Sequence, residues 1–234
     1  MTHQQASQRL RELADPERAP QLARFFKTAP GEYGAGDVFL GLRMPMIRKL
    51  IPEFSALPLS DVQALLRSPY HEERLFALLL LVRKVQRGGE REKEEIYRLY
   101  CSNTSYINGW DLVDCSAEYI VGGYLQDRDR RPLDILAASN LLWERRIAIM
   151  ATFRYVKQGE FGPTLHVANL LRHDPHDLIH KAVGWMLREV GNRDRAVEES
   201  FLQEYYHDMP RTMLRYAIER FPEARRQQYL RGDV

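Results

Sequence analysis

The sequence predicts an all-α fold, and three observations support this prediction. Segments rich in Leu, Ala, Arg and Glu carry apolar residues at helical spacing, and short runs containing Pro, Gly, Asp or Asn separate them. Alternating β-branched runs joined by Asn-Gly turns are missing, so no sheet is predicted. Several helical segments also carry a small residue inside an apolar stripe. We expect about ten to twelve helices.

The small residue recurs at an interval that indicates a helical repeat. Ala148, Ala182 and Ala217 are 34 and 35 residues apart, and Ala77 precedes Ala148 by 71 residues, or two such steps. The midpoint of the longer step falls near Val113. This period predicts an α-solenoid of stacked helix pairs of the HEAT or armadillo type, with a concave face for a long, thin ligand. The alternative is an irregular helical bundle with coincidental spacing.

Length, charge and cysteine content limit the class of protein. The 234 residues are enough for one large domain, which we expect over residues 1–234. A net charge of +2 excludes a strongly basic coat but allows a basic groove. Two cysteines imply no disulfide framework, and the polar N-terminus lacks a signal core. The longest apolar run, Leu75–Val82, is too short to cross a bilayer. We expect a cytoplasmic monomer without membrane contact.

The stretch INGWDLVDCS, Ile107–Ser116, raises the question of a ligand. Its Asn-Gly pair is predicted to open a helix, on which Trp110 and Asp114 lie one turn apart on one face. An aromatic face beside a carboxylate is an arrangement that binds a cation. We expect substitution of Asp111 to have a much smaller effect on function than substitution of Asp114. The alternatives are a core tryptophan and an acid paired with an arginine of a neighbouring repeat, such as Arg146.

Two later segments combine cations with an aromatic residue. They supply Arg146, Arg154 and Lys157 from Trp143–Gly159, and Lys181, Trp185 and Arg188 from His176–Asp194. Eleven residues separate Arg146 from Lys157, which predicts nearly the same helical face for both. Interleaved cations and aromatics hold a phosphate backbone and stack on bases or sugars. The alternatives are a core aromatic at Trp185 and a solvated helix face for the basic residues.

The run RHDPHD contains residue types that bind metals. Its His173, Asp174, His176 and Asp177 have no second cluster at matching spacing, so we expect a loop rather than a metal site. In that loop Asp177 is predicted to cap the helix that begins at Leu178. The sequence contains neither a P-loop nor a GxGxxG motif. We therefore expect no metal and no nucleotide cofactor.

Long strings in the sequence resemble the bacterial DNA alkylation repair enzymes, the AlkD-type alkylpurine DNA glycosylases. The strings are INGWDLVDCSAEYIVGGYL, NLLWERRIAIMATFRYVKQGEF, HDLIHKAVGWMLREVGNRD and MPRTMLRYAIERFP, together with FLGLRMPMIRKL near the N-terminus. The resemblance implies a right-handed superhelix of HEAT-like repeats that holds duplex DNA on its concave face. The implied activity is excision of N3- and N7-alkylated purines in base excision repair.

The resemblance also implies roles for individual residues. Asp114 corresponds to the catalytic carboxylate, and Trp110, Trp185 and Arg146 correspond to residues of the catalytic cleft. The expected DNA-binding residues are Arg154, Lys157, Lys181, Arg188, Arg48 and Phe25. Two positions depart from the family pattern, because Phe25 replaces a tyrosine and Gly109 replaces a tryptophan. Two other functions stay open: a non-catalytic protein that binds distorted or branched DNA, and a scaffold that binds a peptide.

Overall fold

The computed structural model describes residues 1–234 and contains fifteen α-helices and no β-strand. The first seven are α1 (His3–Glu12), α2 (Ala19–Phe25), α3 (Met44–Leu50), α4 (Leu59–Leu66), α5 (His71–Arg87), α6 (Glu90–Cys101) and α7 (Trp110–Asp114). The others are α8 (Arg131–Ala137), α9 (Leu142–Ala151), α10 (Phe153–Val156), α11 (Gly162–Leu170), α12 (Asp177–Gly191), α13 (Arg195–Tyr205), α14 (Arg211–Ala217) and α15 (Glu223–Arg231). The all-α prediction is confirmed.

The predicted number of helices is wrong, because several expected helices are divided. The segment expected to form one helix from Trp143 is interrupted at Thr152, which separates α9 from α10. The Thr152 hydroxyl donates to the backbone oxygen of Ile149 at 2.7 Å. Such a bond to the preceding turn competes with the helical ladder and bends or interrupts the helix. A short 3₁₀ turn or π-helical stretch also follows three of the other helical segments.

The chain divides into two compact units, Met1–Ile120 and Val121–Val234. In the first unit α5 is the central helix, and α1, α3, α4, α6 and α7 all pack against it. Most of its residues are buried, including the apolar run that begins at Leu75. Helix α5 therefore holds the elements of this unit together by its apolar surface on nearly all sides.

A buried carboxylate fixes the loop before α3 to the start of α5. Glu72 accepts hydrogen bonds from the backbone N–H groups of Leu40, Gly41 and Leu42 at 2.8–3.1 Å. Gly41 has a φ of +88°, and a Cβ there would lie 2.1 Å from the backbone oxygen of Asp15. The FLGLR string is thus held by charge-assisted bonds that satisfy its buried backbone, and only glycine fits at its centre.

In the second unit the helices of the predicted repeat pack in chain order. Helix α9 contacts α12, and α12 contacts α14, while α8 and α11 pack on α9 and α12. Ala148, Ala182 and Ala217 on these helices are fully buried. Helices α12 and α14 approach closely at Gly184, where a Cβ would lie 2.4 Å from the backbone oxygen of Met213. This arrangement is that of an α-solenoid, and small residues allow its helices to approach closely.

None of the helices combines the length and the apolar character that a membrane span requires.

Candidate functional site

Helix α7 is a single turn with Trp110 as its first residue and Asp114 as its last. Gly109 occupies the N-cap, so the prediction that the Asn-Gly pair opens a helix is confirmed. Leu112 and Val113 are fully buried and fix the helix to the core, whereas Trp110 and Asp114 are half-buried. The motif WDLVD thus buries its middle and presents a ring and a carboxylate at its two ends.

The indole of Trp110 belongs to an aromatic cluster with an exposed edge. It stacks on Phe26 with ring centroids 5.3 Å apart and an angle of 15° between the planes. Phe25 meets it edge-on at 6.0 Å, and 63% of the Phe25 surface is exposed. The structure therefore places the predicted residue Phe25 beside Trp110 rather than in the core.

The first turn of α5 consists of four buried polar residues, His71-Glu72-Glu73-Arg74. The two glutamates bind different parts of the first unit. Glu72 holds the FLGLR loop, whereas Glu73 accepts hydrogen bonds from Ser7, Ser68 and Arg11. Sequence reasoning treated this stretch only as a break between helices. The sequence did contain a signal, since these four polar residues directly precede eight apolar ones. Charged residues are seldom fully buried unless they are paired, so such a position predicts bound partners.

His71 joins α5 to the helix of the candidate site. Its Nδ1 lies 2.7 Å from Oδ2 of Asp37, and its Nε2 lies 2.8 Å from Oδ2 of Asp111. Two carboxylates on the two ring nitrogens require two N–H donors, which only the imidazolium has. Burial lowers the pKa of His71, but the hydrogen bonds that the ring donates to Asp111 and Asp37 outweigh it and raise the pKa to about 9.

The same network continues to Arg74. Its guanidinium pairs with Asp37, and it donates to Oδ1 of Asn108 at 3.0 Å and to the backbone oxygen of Ser68 at 2.9 Å. Burial raises the pKa of Asp37, but the hydrogen bond from His71 and the charge of Arg74 outweigh it, so the pKa is lowered. Two basic and two acidic side chains thus alternate in a buried chain from Arg74 through Asp37 and His71 to Asp111.

Arg48 lies within electrostatic range of the end of α7. Burial raises the pKa of the Cys115 thiol, and the charges of Asp111 and Asp114 raise it further, while Arg48 opposes them. Arg48 itself is exposed on α3. The structure therefore brings a predicted DNA-binding cation near the residue that follows Asp114.

In the second unit Trp185 belongs to a cluster that we call the Phe153 cluster: Phe153, Trp185, Lys157 and Arg193. The rings of Phe153 and Trp185 are 6.3 Å apart, and the Phe153 ring is approached by Lys157 at 4.3 Å and by Arg193 at 5.7 Å. Trp185 is half-buried and donates to Glu189 at 3.3 Å. Sequence reasoning missed Phe153 and Arg193, although both lie in strings that carry the family resemblance.

Arg146 does not share an exposed face with Lys157. It is 5% exposed, and its Nη1 donates to the backbone oxygen of Leu178 on α12 at 2.6 Å. Lys157 is exposed beyond the end of α10. The alternative of a solvated helix face shared by these basic residues is wrong, because Arg146 is buried.

The remaining predicted DNA-binding residues have polar partners within the second unit. Arg154 donates to the side chain of Gln126 at 2.7 Å, and Lys181 pairs with Asp177 at 2.6 Å. Arg188 pairs with Glu219. Two of these three cations therefore have an anionic neighbour, which reduces the positive potential that they present to a phosphate.

The run RHDPHD forms a turn, but its capping residue differs from the prediction. His176 is the N-cap of α12, where its Nδ1 accepts from the backbone N–H of Leu178 at 3.1 Å. Asp177 was expected to cap and instead pairs with Lys181. Asp174 binds Arg145 at 2.5 Å and the backbone N–H of His176 at 2.8 Å. Because the His176 imidazole already accepts from the helix terminus, the Asp177 carboxylate is available for the pair with Lys181 one turn later.

The comparisons with known proteins agree with this architecture. The family model of the DNA alkylation repair enzymes matches residues 6–221. A solved structure described as a predicted DNA alkylation repair enzyme from Enterococcus faecalis is similar, with a TM-score of 0.70 and 18% identity over 90% of this chain and 97% of that chain. None of the curated proteins matches the chain. Because the family model covers most of its length, the chain belongs to the family of DNA alkylation repair enzymes.

Proposed function

We propose that the protein is a DNA glycosylase that hydrolyses the N-glycosidic bond of purines alkylated at N3 or N7 in duplex DNA. The observation that supports this most directly is α7, which carries a half-buried ring, Trp110, and a half-buried carboxylate, Asp114, at its two ends. Membership of the DNA alkylation repair family supplies the class of substrate.

A single carboxylate is enough for this reaction. Alkylation at N3 or N7 places a positive charge on the purine, so the base leaves without protonation by a general acid. Most glycoside hydrolases need a second carboxyl group for that step. As the bond to the base breaks, positive charge develops on the sugar, and Asp114 stabilises this charge and orients the attacking water.

The expected contribution of Asp114 follows from Coulomb's law. At ~4 Å and an effective dielectric constant of ~20, one carboxylate stabilises a unit positive charge by about 4 kcal/mol. That energy corresponds to roughly a thousandfold in rate. The two tryptophans, Trp110 and Trp185, each add a contact to the cationic nucleotide of about 0.5–2 kcal/mol. The proposed catalytic set is Asp114 with Trp110, Trp185 and Arg146, and it requires no metal or cofactor.

The proposed DNA contacts lie on both units. They are Arg48 and Phe25 in the first unit and Arg154, Lys157, Lys181 and Arg188 in the second. Phe25 offers an exposed apolar ring where the resembling family has a tyrosine, so it can stack on a sugar or base but cannot donate a hydrogen bond to a phosphate. The basic residues contact phosphates and therefore position the duplex without reading its sequence.

Release of the base from methylated duplex DNA tests the proposal. The purified protein is incubated with methylated DNA in the presence of a chelator, and the released bases are separated and identified. We expect 7-methylguanine and 3-methyladenine above the level of spontaneous depurination. Binding of the same DNA is measured in parallel.

Binding without release of either base would support the second candidate, a non-catalytic protein that binds distorted or branched DNA. The absence of a tyrosine hydroxyl at Phe25 favours this candidate. Absence of DNA binding would favour a peptide-binding scaffold.

A further inference from the structure

The contacts of His71 point to a role in the candidate site that lies outside the proposed catalytic set. We propose that His71 is a positioning residue, whose ring, held between Asp37 and Asp111, fixes the position of α7. Through α7 it positions Trp110 and Asp114. This inference rests on the proposed function for its effect on catalysis, but its effect on α7 can be measured without any reaction.

The first support is the small size of the helix that has to be held. Helix α7 has five residues and one turn, too short to keep its shape or orientation by its own hydrogen bonds. The buried side chains of Leu112 and Val113 anchor it to the core. Apolar packing is not directional, so it leaves rotation and tilt of a single turn weakly fixed. A hydrogen bond at Asp111 supplies the missing direction.

The second support is the geometry of the imidazole. Its two N–H groups point to acceptors on opposite sides, Asp37 in the loop before α3 and Asp111 on α7, at 2.7 and 2.8 Å. His71 itself is 2% exposed, so both bonds lie away from solvent. Charge-assisted hydrogen bonds are stronger and more strictly oriented than neutral ones. The ring thus connects the rigid helix α5 with α7 by a bond that resists rotation.

The third support is the contact of the same ring with the aromatic cluster. His71 stacks on Phe39 at 4.6 Å and lies 4.9 Å from Phe26, which in turn stacks on the indole of Trp110. A cationic ring among aromatic faces is stabilised by their quadrupoles. His71 therefore reaches α7 by two routes, a hydrogen bond to Asp111 and a stack that ends at Trp110.

Gly109 is part of the same arrangement. A Cβ at this position would lie 2.9 Å from Oδ1 of Asp111 and 3.0 Å from Cε1 of His71. A side chain there would press on the ion pair, so glycine permits the close approach of the ring to the start of α7. This contact supplies a physical reason for the departure from the tryptophan that the resembling family carries at this position.

The test compares His71→Gln with His3→Gln as a matched control. His3 is also paired with an aspartate of the first unit, Asp61 at 2.6 Å, but is more exposed. Single-turnover release of 7-methylguanine gives a rate constant and an amplitude for each protein. We expect the rate constant of His71→Gln to fall by roughly tenfold to a hundredfold at full amplitude, because a displacement of about 1 Å has that effect on catalysis. His3→Gln should retain the wild-type rate constant.

A second readout does not depend on activity. In a Trp143→Phe, Trp185→Phe background, Trp110 is the only tryptophan, and its fluorescence reports on α7 alone. Adding His71→Gln should increase acrylamide quenching of Trp110 and lower its anisotropy. If wild-type protein releases no base but this change is seen, the proposed function fails while the positioning of α7 by His71 is supported.

Asp111→Asn covers the case in which His71→Gln does not fold. It keeps the imidazolium paired with Asp37 and weakens only the bond to α7, so it should lower the rate constant by roughly tenfold. In the double variant the loss should not exceed that of the more severe single variant, because both act through one contact. A wild-type rate constant and unchanged Trp110 quenching in a folded His71→Gln protein would overturn the proposal. A reduced amplitude with an unchanged rate constant would also overturn it, because it shows a contribution to folding alone.

Discussion

At the scale of single residues, the motif WDLVD places two aspartates in different environments. Asp111 is bound to a buried imidazolium at 2.8 Å, whereas Asp114 ends the helix and is half-buried. A carboxylate that must stabilise a transient charge on the substrate has to face the DNA, whereas Asp111, which is equally half-buried, faces His71. That Asp111→Asn has a much smaller effect than Asp114→Asn stays a prediction, and the contact with His71 gives Asp111 a structural role.

Asp114→Asn keeps the size of the side chain and removes its charge. We expect a folded protein that binds DNA as well as the wild type or slightly better, because a charge that repels phosphate is gone. Single-turnover excision should fall by roughly tenfold to a few thousandfold, the range available to one carboxylate. The loss should be greater for 7-methylguanine than for 3-methyladenine, because the more labile bond needs less assistance.

The control for that experiment is Asp127→Asn, which changes an exposed aspartate of the second unit. Both rates are measured with excess protein over methylated duplex, so that binding does not limit them. A folded Asp114→Asn protein with the wild-type rate would remove Asp114 from the catalytic set, and with it the main support for the glycosylase proposal.

At the scale of helices, ionisable groups at two junctions respond to pH in ways that stability measurements can detect. His71 at the start of α5 has its pKa raised to about 9, and Glu198 on α13 has its pKa raised to about 8. A shift between the folded and the unfolded state makes the free energy of unfolding depend on pH between the two values. Each junction therefore has its own pH range.

For His71 the folded protein binds the proton more tightly than the unfolded chain. Its contribution is fully present below pH 6.5 and is lost as the pH rises through about 9. The groups that face it are Asp37 and Asp111, with Arg74 bound to the far side of Asp37. We expect the wild-type free energy of unfolding to fall in this range by up to about 3 kcal/mol relative to His71→Gln. Urea denaturation at pH 6, 7.5 and 9 measures the difference, and parallel curves for the two proteins would contradict it.

Glu198 is 1% exposed and packs against the end of α12. A Cβ at Gly191 would lie 1.6 Å from its Oε2, so the glycine makes room for the carboxyl group. Burial raises the pKa of Glu198, and the charge of Glu199 raises it further, against the charges of Arg195 and Arg188. The folded state holds the proton up to about pH 8, whereas the unfolded chain releases it near pH 4.5. Stability is therefore lost as the pH rises through this range.

Glu198→Gln cannot ionise, so it should be more stable than the wild type at pH 8 and similar to it at pH 4.5. Thermal unfolding at both pH values measures this change of order. Glu204→Gln is the control, because Glu204 is an exposed glutamate on the same helix. A wild-type protein that remains more stable than Glu198→Gln at pH 8 would show that the carboxylate is ionised in the folded state.

At the scale of the whole molecule, the features that depend on local sequence pattern could be predicted, whereas contacts between residues distant in the sequence could not. The all-α class, the buried repeat positions and the start of a helix at Trp110 follow from spacing along the chain, whereas the single-turn length of that helix does not. The bonds of His71 to Asp37 and Asp111 join residues 34 and 40 positions apart, and no periodicity marks them. The Phe153 cluster likewise joins α10 to Trp185 and Arg193, which are distant in the sequence and which spacing does not bring together with it.

Binding of duplex DNA by the whole molecule should depend on salt, because each phosphate contact releases counterions. We expect Arg154→Ala and Lys181→Ala to weaken binding to damaged and undamaged DNA alike, and to reduce the slope of log K against log salt by about 1 each. The effect should be greater for Arg154, whose partner Gln126 is neutral, than for Lys181, which must exchange Asp177 for a phosphate.

Fluorescence anisotropy of a labelled duplex at several salt concentrations measures both the affinity and the slope. Lys93→Ala is the matched control for Lys181, because Lys93 is also paired with an acid on its own helix, Glu90 at 2.7 Å. Helix α6 carries further glutamates that repel DNA, so this control should leave the affinity and the slope unchanged. Unchanged values for both Arg154→Ala and Lys181→Ala would remove the two residues from the DNA interface. A larger effect of Lys181 than of Arg154 would show that the Asp177 pair does not compete with phosphate.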